Sequence, residues 1–337
     1  MPSASLWCTI PEKGRCLSHI AIIAIGLPVY NGALFVGPAI RSILAQTFRD
    51  IELIISDNGS SDDTADICQR FATQDSRIRY IRHGINRGAA WNFNHVFEIS
   101  HSPYFKWAAC DDVYRPEFLQ QCYTALQADP HSALATTATD YIDEHGRVRG
   151  SHDRKATFSS SSISRRFREA ACVGHSCLDI FGLMRRPVLA RTRGLGAFAS
   201  SDRVLLAELA MQGRFIEFPE PLFLRRDHSN TSVRLYPDVY CRSAWFDPSR
   251  AGRVSFPSWR MLREYVAAIV NSPVTLPERL CCSLQLVPWL WKKKRALISD
   301  VLISLHSLLT GNRSIYTLDR KVPDLDEEEL DREAAAL

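Results

Sequence analysis

The feature that most constrains the fold is a regular alternation between short apolar segments and segments with helical spacing. Four apolar runs of strand length occupy residues 20–29, 51–56, 78–81 and 104–109. Between these runs, apolar residues recur every three or four positions, as they do on one face of a helix. Strands that alternate with helices at this pace predict βαβ units and a mostly parallel sheet.

Each of the four runs ends in a polar cluster. The clusters cover residues 28–32, 57–62, 86–88 and 111–112. Because the carboxyl ends of parallel strands meet at one edge of a sheet, we predict that the clusters form one ligand site. The adjacent acids Asp111 and Asp112 provide oxygen ligands of the kind that a hard divalent cation holding a diphosphate requires. The structural alternative is that one of them only caps the helix after Pro116.

Composition argues against several classes of protein. The 337 residues carry a net charge of +4, so nucleic acid is not an expected partner. The ten cysteines show neither a CxxC pair nor zinc spacing, which argues against a disulfide framework and favours a reducing cytoplasm. No run of about 18 apolar residues is present, so we expect no membrane-spanning helix.

The polar clusters also belong to four longer motifs. In chain order these are PVYNG, QTFRDIELIISDNGSSDDT, NRGAAWNFN and WAACDDVYRPEFL. In this order and spacing they resemble the nucleotide-binding half of the family 2 glycosyltransferases, which have the GT-A fold. The resemblance covers residues 20–235 and implies an α/β, Rossmann-like, mostly parallel central sheet flanked by helices.

The resemblance implies a donor site at the sheet edge. The residues that it assigns to the nucleotide base, the ribose and the surroundings of the donor are Pro28, Tyr30, Asn31, Asp57, Asn86, Gly88 and Asn94. It assigns Asp111 and Asp112 to the diphosphate and Asp111 to a divalent cation, Mn²⁺ or Mg²⁺. Two assignments have structural alternatives. Asp57-Asn58-Gly59 is also a turn sequence, and Gly88 also allows a helix to start close to the sheet.

The acidic motif departs from the family pattern at one position. Family members commonly have Asp-x-Asp-Asp, whereas this chain has Ala109-Cys110-Asp111-Asp112. The first carboxylate is therefore absent. Asp111 corresponds to the usual metal ligand, so this interpretation retains metal binding and leaves several coordination positions for diphosphate oxygens and water.

Arg226 and His228 extend the predicted donor site. They follow two short predicted strands, 215–218 and 222–224, and family members show a similar Arg-x-His pattern near the donor diphosphate. A guanidinium matches phosphate oxygens, and a neutral imidazole can ligate the metal. The alternative for His228 is a hydrogen-bonded structural histidine.

Asp202 is the predicted general base. In inverting family members an acid that begins the helix after the acceptor-side strand has this role, and Asp202 stands before an apolar helical pattern. The reaction requires a base because an acceptor hydroxyl is a poor nucleophile until its proton is removed. The Ser-Ser-Asp sequence is also typical of a helix N-cap. Glu208 and Asp179 are the alternative carboxylates.

Three local predictions concern the remaining segments. The run DIFGLM (179–184) is predicted to be a strand, and Ser61 is predicted to cap the second helix. The four serines at 159–162 are interpreted as a mobile loop over the site.

The remaining regions lie outside the resemblance. We expect a loose leader over residues 1–19, a helical extension over 236–323 and a solvated acidic tail over 324–337. Within the extension, aromatic residues precede the basic cluster 292–295, and an apolar stripe follows over 297–309. This combination suits peripheral contact with an anionic membrane. The alternative is a helix packed on the catalytic domain with its lysines in water.

The predicted function, implied by the resemblance, is inverting and metal-dependent sugar transfer. The donor is a nucleotide-diphosphate sugar, with a UDP-sugar as the first expectation. The acceptor is a hydroxyl of a glycan or lipid-linked molecule in cell-envelope polysaccharide or lipopolysaccharide synthesis, in the cytoplasm or at the inner face of the plasma membrane. Two alternatives remain. A sugar nucleotidyltransferase would usually have a basic loop, and PVYNGALFVG has no basic residue; a non-catalytic nucleotide-sugar-binding relative would retain only the fold.

Overall fold

A computed structural model describes residues 19–236 and 238–317 of the chain. In these ranges strands and helices alternate through the first part, and helices alone form the end. The architecture is α/β with a mostly parallel sheet flanked by helices, which confirms the predicted fold class. The predicted acidic tail, and the predicted leader except for His19, lie outside the described residues.

One sheet contains the nine strands of the described residues. The strands are β1 (Ile23–Val29), β2 (Ile51–Asp57), β3 (Ile78–Arg82), β4 (Tyr104–Trp107), β5 (Val113–Tyr114), β6 (Ser132–Ile142), β7 (Val148–Ser151), β8 (Leu183–Arg185) and β9 (Arg214–Arg226). Their order is β3-β2-β1-β4-β8-β6-β9-β5, with β7 paired to β6. β1 lies inside the sheet and is buried along its whole length, as expected of a central parallel strand with an apolar sequence.

The helices lie on the faces of the sheet and at the end of the chain. They are α1 (Val36–Leu44), α2 (Thr64–Gln74), α3 (Ala89–Glu98), α4 (Phe118–Ala128), α5 (Ile163–Cys172), α6 (Arg186–Leu189), α7 (Ser201–Gln212), α8 (Ser232–Leu235), α9 (Val239–Phe246), α10 (Pro257–Asn271), α11 (Leu276–Leu284) and α12 (Leu286–Thr310). None of the described helices is both long and apolar enough to cross a bilayer.

The strand register brings the polar clusters to one edge of the sheet. Val29, the last residue of β1, pairs with Asp57, the last residue of β2, and Gly26 pairs with Trp107 at the end of β4. β8 runs antiparallel to both β4 and β6, so β6 and its parallel neighbour β9 also end at this edge. β9 ends there at Arg226. The predicted meeting of strand ends is therefore confirmed.

The predicted strand DIFGLM is wrong over most of its length. Leu178–Phe181 form a 3₁₀ turn, and only Leu183–Arg185 form a strand. Cys177 has a φ of 55° and turns the chain before this segment. A Cβ at Gly182 would lie 2.7 Å from the carbonyl oxygen of Ala135, so the backbone passes very close to β6 at this point. These two features leave only Leu183 and Met184 of the predicted segment, with the following Arg185, to pair with the sheet.

The serine run is joined to the start of α5. The Ser162 hydroxyl accepts a hydrogen bond from the Arg165 amide and caps the helix. The buried Arg166 guanidinium donates to the carbonyl oxygens of Ser160 and Ser161 at 2.7 and 3.1 Å. These contacts fix the run to a buried side chain, whereas its movement over the site stays a prediction.

The C-terminal helices pack against the sheet domain. Tyr265 of α10 is fully buried and makes edge contacts with Phe167 of α5 and Trp289 of α12. The end of α9 lies against the turn before α3, since a Cβ at Gly88 would be 2.6 Å from the carbonyl oxygen of Phe246. The extension therefore touches one of the predicted donor segments.

Candidate active site

The loops that follow β1 and β2 are joined by hydrogen bonds. The amide of Asn31 donates to the Ser60 hydroxyl at 2.9 Å, and the Asn31 side-chain oxygen accepts from the amide of Ser61 at 2.9 Å. Asn31 has a φ of 51°, a conformation that asparagine tolerates better than most residues. The neighbouring Tyr30 ring is 46% exposed, so it is available to a ligand, whereas Pro28 is buried within β1.

Asp57 is fully buried at the end of β2. One carboxylate oxygen accepts from the Ser60 amide at 2.8 Å, and the other accepts from the Tyr80 hydroxyl at 3.0 Å. The guanidinium of Arg82 lies 3.7 Å away. The first bond closes a turn of the kind that aspartate favours. In this conformation the carboxylate holds the loop, and a ligand would reach it only after Tyr80 or Arg82 moved.

Asn86 and Gly88 shape the turn that opens α3. The Asn86 side-chain oxygen accepts from the Gly88 amide at 2.8 Å and from the Asn58 side-chain nitrogen at 2.9 Å. Asn58 also donates to the Gly88 carbonyl at 3.1 Å and accepts from the Arg87 amide at 3.0 Å. The sequence argument missed this role of Asn58, although its place beside Asp57 in the second polar cluster was a usable signal.

Asn94 contacts the segment that precedes α7. Its side-chain nitrogen donates to the Leu195 carbonyl at 2.8 Å, and its oxygen accepts from the Leu195 amide at 2.9 Å. This pair of bonds fixes the segment that leads toward α7. The structure therefore joins Asn94 to the region of Asp202 instead of the nucleotide loops.

The acidic motif lies between β4 and β5, opposite the end of β9. The Oδ2 atom of Asp111 is 3.0 Å from Nε2 of His228. Asp112 is buried, and its Oδ1 atom accepts from the Arg226 amide at 2.8 Å. Burial and the neighbouring Asp111 carboxylate raise the pKa of Asp112 to about 8. Because α4 begins only at Phe118, neither acid is a helix cap.

Arg226 fixes the backbone around the acidic motif by hydrogen bonds. Its guanidinium donates to the carbonyl oxygens of Asp111, Asp143 and Glu144 at 2.9, 2.8 and 3.0 Å, and it lies over the ring of Phe35 at 4.8 Å. Only 5% of the residue is exposed. In this conformation the side chain that was predicted to contact the diphosphate holds the backbone around Asp111.

Asp202 lies in the first turn of α7, at the same sheet edge. Its Oδ1 atom accepts from the Arg203 amide at 2.8 Å, and the Cys177 thiol donates a hydrogen bond to the carboxylate. Cys177 precedes the turn that leads into β8, whose antiparallel pairing places that turn beyond the end of β4. The N-cap position belongs to Ser200, so the structure does not support a cap role for Asp202.

Burial is the main cause of the raised pKa of Asp202. The charges of Arg203 and Arg242 oppose this effect without cancelling it. Ser200, two residues earlier, has a φ of 65°, and Cys177 has a φ of 55°. Left-handed backbone at two non-glycine residues around one partly exposed carboxylate is the kind of strain that accumulates at functional sites.

The alternative carboxylates are engaged by arginines. Asp179 lies 2.7 Å from Nη2 of Arg154. Glu208 accepts from the side chain and the backbone amide of Arg193 at 2.5 and 2.8 Å. Both acids are buried, so neither is placed to meet an acceptor hydroxyl as well as Asp202 is.

Comparison with known proteins assigns the family. The sequence profile of glycosyl transferase family 2 matches residues 24–193, which is half of the chain. This chain is a family 2 glycosyltransferase homologue. The matched region contains β1 to β8, the polar strand ends and the acidic motif. The resemblance inferred from the four motifs is therefore confirmed.

Several curated proteins are similar to parts of the chain. A glycosyltransferase named GlyG from Streptococcus pneumoniae is 26% identical over 37% of this chain and 42% of its own length. An uncharacterized glycosyltransferase from Rickettsia prowazekii is 35% identical over 36% of this chain and 38% of its own. The GalNAc(5)-diNAcBac-PP-undecaprenol beta-1,3-glucosyltransferase of Campylobacter jejuni is 24% identical over 57% of this chain and 61% of its own. The chain thus matches less than two thirds of each.

Solved structures of the S. aureus protein TarS share the fold. The structure of its residues 1–349 with UDP has a TM-score of 0.51 and 13% identity, covering 86% of this chain and 92% of that one. The structure with UDP-GlcNAc has the same TM-score and 12% identity, with the same coverage. At this identity the likeness concerns the fold alone.

The family 2 acidic motif of this chain offers a partial metal site. Within the described ranges, no group of three or more His, Cys, Asp or Glu side chains is placed to hold a metal ion. Asp111 and His228 provide one carboxylate and one imidazole, and the Asp111 side chain is 27% exposed. A magnesium-type ion needs only one or two protein ligands when substrate phosphates and water complete its shell. The two residues fit a cation that arrives with a diphosphate.

Lys106 is a buried lysine near Asp112 that was not predicted from the sequence. It is 2% exposed within β4, and its Nζ atom lies 3.5 Å from the centre of the Tyr114 ring and donates to the Trp107 carbonyl. Burial holds the pKa of this amine well below its usual range, and the Asp112 carboxylate opposes that effect. A lysine inside the apolar run YFKWAA was the available signal.

Proposed function

We propose that this protein is an inverting glycosyltransferase that uses a nucleotide-diphosphate sugar, with a UDP-sugar as the first candidate. The observation that carries the proposal is the common location of Asp111 and Asp202 at one sheet edge, beside the loops that follow β1 and β2. One carboxylate is partly exposed next to an imidazole, and the other is partly buried with a raised pKa. These environments suit different roles in one reaction.

The donor side is proposed to use Asp111 and His228 as the protein ligands of Mn²⁺ or Mg²⁺. When bound, such a cation supplies positive charge that offsets the charge developing on the departing diphosphate. Tyr30 and Asn31 are proposed to contact the nucleotide, since the exposed ring and the fixed loop lie at the same edge. The bound UDP and UDP-GlcNAc of the similar TarS structures support UDP as the nucleotide.

The acceptor side is proposed to use Asp202 as the general base. The acceptor oxygen forms a bond to the anomeric carbon while the bond from that carbon to the diphosphate oxygen breaks. The acceptor proton passes to the Asp202 carboxylate, and the nucleoside diphosphate leaves with its electron pair. Because attack occurs opposite the leaving group, the configuration at the anomeric carbon inverts. A raised pKa makes this carboxylate a better proton acceptor than an ordinary surface aspartate.

We propose that the protein works at an anionic membrane, at the inner face of the plasma membrane, on a cell-envelope glycan or lipid-linked acceptor. From Asp300 onward, α12 buries polar residues and exposes apolar ones, whereas Leu286, Trp289 and Leu297 earlier in the helix are buried. Asp300, Ser304 and Ser307 face inward. The exposed residues of the helix include Trp291, Ile298, Val301, Leu302, Leu305, Leu308 and Leu309.

The inward polar residues of α12 have partners. Asp300 accepts from the Tyr240 hydroxyl at 2.8 Å and from the Ser258 amide at 2.6 Å, and Ser304 donates to the Ser255 carbonyl at 3.0 Å. The orientation of the helix is therefore set by hydrogen bonds, and its apolar side faces outward. Lys294 and Arg295 are exposed one turn before Ile298 on the same side, as expected for a surface that meets anionic lipid.

Sedimentation with vesicles tests the membrane proposal. The double variant Leu302→Glu/Leu305→Glu is expected to lose binding to vesicles that contain phosphatidylglycerol, because each glutamate would enter the apolar interface. The matched variant Gln120→Glu/Thr124→Glu adds the same two negative charges at exposed positions of α4 and keeps its binding. If the double variant instead turned a dimer into a monomer without affecting vesicle binding, the surface would serve a second copy of the chain and the proposal would be overturned.

A thermal-shift screen tests the donor proposal. Nucleotide sugars are added with and without Mn²⁺ to the wild type and to the Asp111→Asn variant. We expect the melting temperature of the wild type to rise with a UDP-sugar and Mn²⁺ together, and the variant to lose the part that depends on Mn²⁺. The absence of a shift with any nucleotide sugar, or an equal shift in the variant, would contradict it.

A further inference from the structure

A cavity lies between the segment before α7, which leads to Asp202, and the helices of the C-terminal extension. Its volume is about 380 Å³, within the range of roughly 300–1,000 Å³ that is common for small-molecule sites. Residues from both regions line it. They include Phe198, Ser255, Arg250, Arg253, Arg260 and Arg263. Four arginines around one cavity indicate an anionic ligand.

Fewer carboxylates than arginines take part in the ion pairs near the cavity. Asp247 pairs with Arg250 at 3.2 Å. Glu264 is shared, since it lies 2.6 Å from Arg193, 2.7 Å from Arg263 and 3.9 Å from Arg260.

Arg253 is exposed, and its side chain has no ion pair or hydrogen bond within 19–236 and 238–317. The lining of the cavity therefore has an excess of positive charge.

Two polar atoms of the lining lack partners. The Nε–H of Arg260 and the hydroxyl of Ser255 are buried and form no hydrogen bond with the part of the chain that is described. Arg260 lies over the ring of Phe198 at 4.6 Å, which holds its guanidinium in place. Buried donors without acceptors are costly and are expected to have a partner in the working protein. Both atoms are enclosed, so an oxyanion in the cavity would accept hydrogen bonds from them once the two side chains turned toward it.

The position of the cavity links it to the acceptor. Phe198 and Ala199 line it, and Asp202 follows three residues after Ala199. On the opposite wall, Ser243 of α9 lines the cavity, while the adjacent Arg242 lies near enough to Asp202 to lower its pKa. A molecule anchored in this cavity therefore has a short path to the proposed base. The loops that are proposed to bind the donor follow β1 and β2 and lie around Asp111.

We propose that this cavity binds a phosphate or diphosphate group carried by the acceptor, so that the acceptor is a phosphorylated glycan. Guanidinium groups match phosphate oxygens with two parallel hydrogen bonds, and several of them suit a ligand with more than one negative charge. The assignment of the bound molecule as acceptor rests on the proposed function, whereas anion binding does not. The phosphate belongs either to a lipid-linked diphosphate or to a soluble phosphorylated glycan.

Calorimetric titration with inorganic pyrophosphate in EDTA tests the site without requiring turnover. The chelator removes the cation on which the donor site is proposed to depend. We expect the Arg253→Gln/Arg260→Gln variant to bind pyrophosphate at least about tenfold more weakly, since hydrogen bonds to charged groups contribute about 1.5–3 kcal/mol each and about 1.4 kcal/mol is tenfold. Arg70→Gln, an exposed arginine of α2, and Asp111→Asn are expected to bind as the wild type does.

The outcomes separate the two proposals. If the wild type does not bind pyrophosphate at 0.15 M salt (about physiological), or if only Asp111→Asn weakens binding, the cavity is not an anion site and the inference is overturned. If the cavity variant loses pyrophosphate while wild-type turnover with an unphosphorylated acceptor equals that with a phosphorylated one, the acceptor assignment is overturned.

The acceptor KM, measured with two kinds of acceptor, identifies the molecule that carries the phosphate. The cavity variant should show a raised KM for the acceptor with kcat less affected. That increase appears with a polyprenyl-diphosphate glycan in vesicles if the lipid carries the phosphate, and with a soluble glycan phosphate if the sugar does. An unchanged acceptor KM with both would contradict the proposal.

Discussion

Nε2 of His228 lies 3.0 Å from Oδ2 of Asp111, although 117 positions separate the two residues in the chain. The antiparallel pairing of β5 with β9 brings them together, and the Arg226 guanidinium holds the backbone of Asp111 from the other side. Nδ1 of His228 accepts from the Asn230 amide at 3.2 Å. In the neutral imidazole, Nε2 therefore carries the proton and donates to Asp111. Ligation of a cation by His228 requires this proton to leave Nε2, so cation binding by the pair should release a proton or shift it to Nδ1.

We predict that Asp111→Asn abolishes the effect of Mn²⁺ on UDP affinity. His228→Ala should reduce the same effect. Mn²⁺ should strengthen UDP binding by the wild type, and each substitution removes a proposed ligand. A loss of about tenfold or more is expected, because changes to groups that only support metal ligands already cost 10–100-fold. Calorimetric titration of UDP with and without Mn²⁺ measures the effect. Asp227→Asn, the exposed carboxylate beside this pair, is the control and should leave the Mn²⁺ effect unchanged.

The turn before α3 provides a stability prediction with a matched control. Gly88 has a φ of 88°, and a Cβ there would lie 2.6 Å from the Phe246 carbonyl oxygen. Gly146 has a φ of 81°, with nothing within 4 Å of such a Cβ. Alanine should cost about 1–2 kcal/mol of positive-φ backbone strain at Gly146. At Gly88 the strain should be larger, because a ψ of 161° places this residue in a region that is almost restricted to glycine. Gly88→Ala should lower the free energy of unfolding by about 1–3 kcal/mol more than Gly146→Ala does, because the extension must shift to admit the Cβ atom.

Urea unfolding of both glycine variants measures this difference. If Gly88→Ala and Gly146→Ala lost equal free energy of unfolding, the close contact between the α3 turn and the end of α9 would not exist in solution. Limited proteolysis should also release the extension more readily from Gly88→Ala than from Gly146→Ala.

Lys106 is expected to destabilise the fold at neutral pH. Burial holds the pKa of its amine below that of an exposed lysine, so the unfolded chain binds the proton more strongly than the folded one does. The stability of the wild type should therefore rise with pH toward the usual lysine pKa of about 10.4. Lys106→Met should be more stable near pH 7 by about 1–4 kcal/mol, with the advantage shrinking at higher pH.

The exposed Lys155→Met variant is the control for this change and should unfold as the wild type does across the same pH range. Denaturant titrations at pH 7 and pH 9.5 (roughly the top of the lysine window) provide the comparison. Destabilisation of Lys106→Met at pH 7 would show instead that the ammonium is held charged by Asp112.

The sequence predicted the parallel half of the sheet because each of its strands leaves a strong local signal. β1, β2 and β4 each correspond to an apolar run that ends in a polar turn, although their register with one another was not predicted. The second half was harder to predict. Pro219 and Pro221 divided β9 into two apparent strands, whereas the structure keeps one strand, Arg214–Arg226, with shifts in its pairing to β6.

Side-chain partners were less predictable than backbone elements. Ser61 was predicted to cap α2, but the helix begins at Thr64 after Asp63, and the Ser61 amide instead donates to Asn31. That bond joins two loops 30 positions apart, and no local pattern encodes it. The burial of Asp57 and the bracing role of Arg226 depend on contacts of the same long-range kind. Motifs therefore located the site, while the tertiary structure decided what each side chain touches.

Asp202→Asn tests the central claim most directly when turnover and donor binding are measured together. We predict that release of nucleoside diphosphate in the presence of acceptor falls by about 10²–10⁴-fold, the usual contribution of a general base. The affinity for UDP and Mn²⁺ should remain that of the wild type. Asp66→Asn, an exposed aspartate in the first turn of α2, is the positional control and should keep full turnover.

The pH profile of the same assay completes the measurement. Because burial raises the pKa of Asp202, wild-type kcat/KM should fall as the pH is lowered through a value above that of an ordinary aspartate, and Asp202→Asn should lack this limb. Loss of turnover and of the acidic limb, with UDP binding retained, is the result that the account predicts. An Asp202→Asn variant that turned over as fast as the wild type would contradict this prediction. It would also be contradicted if the wild-type protein bound nucleotide sugars but transferred sugar from none of them.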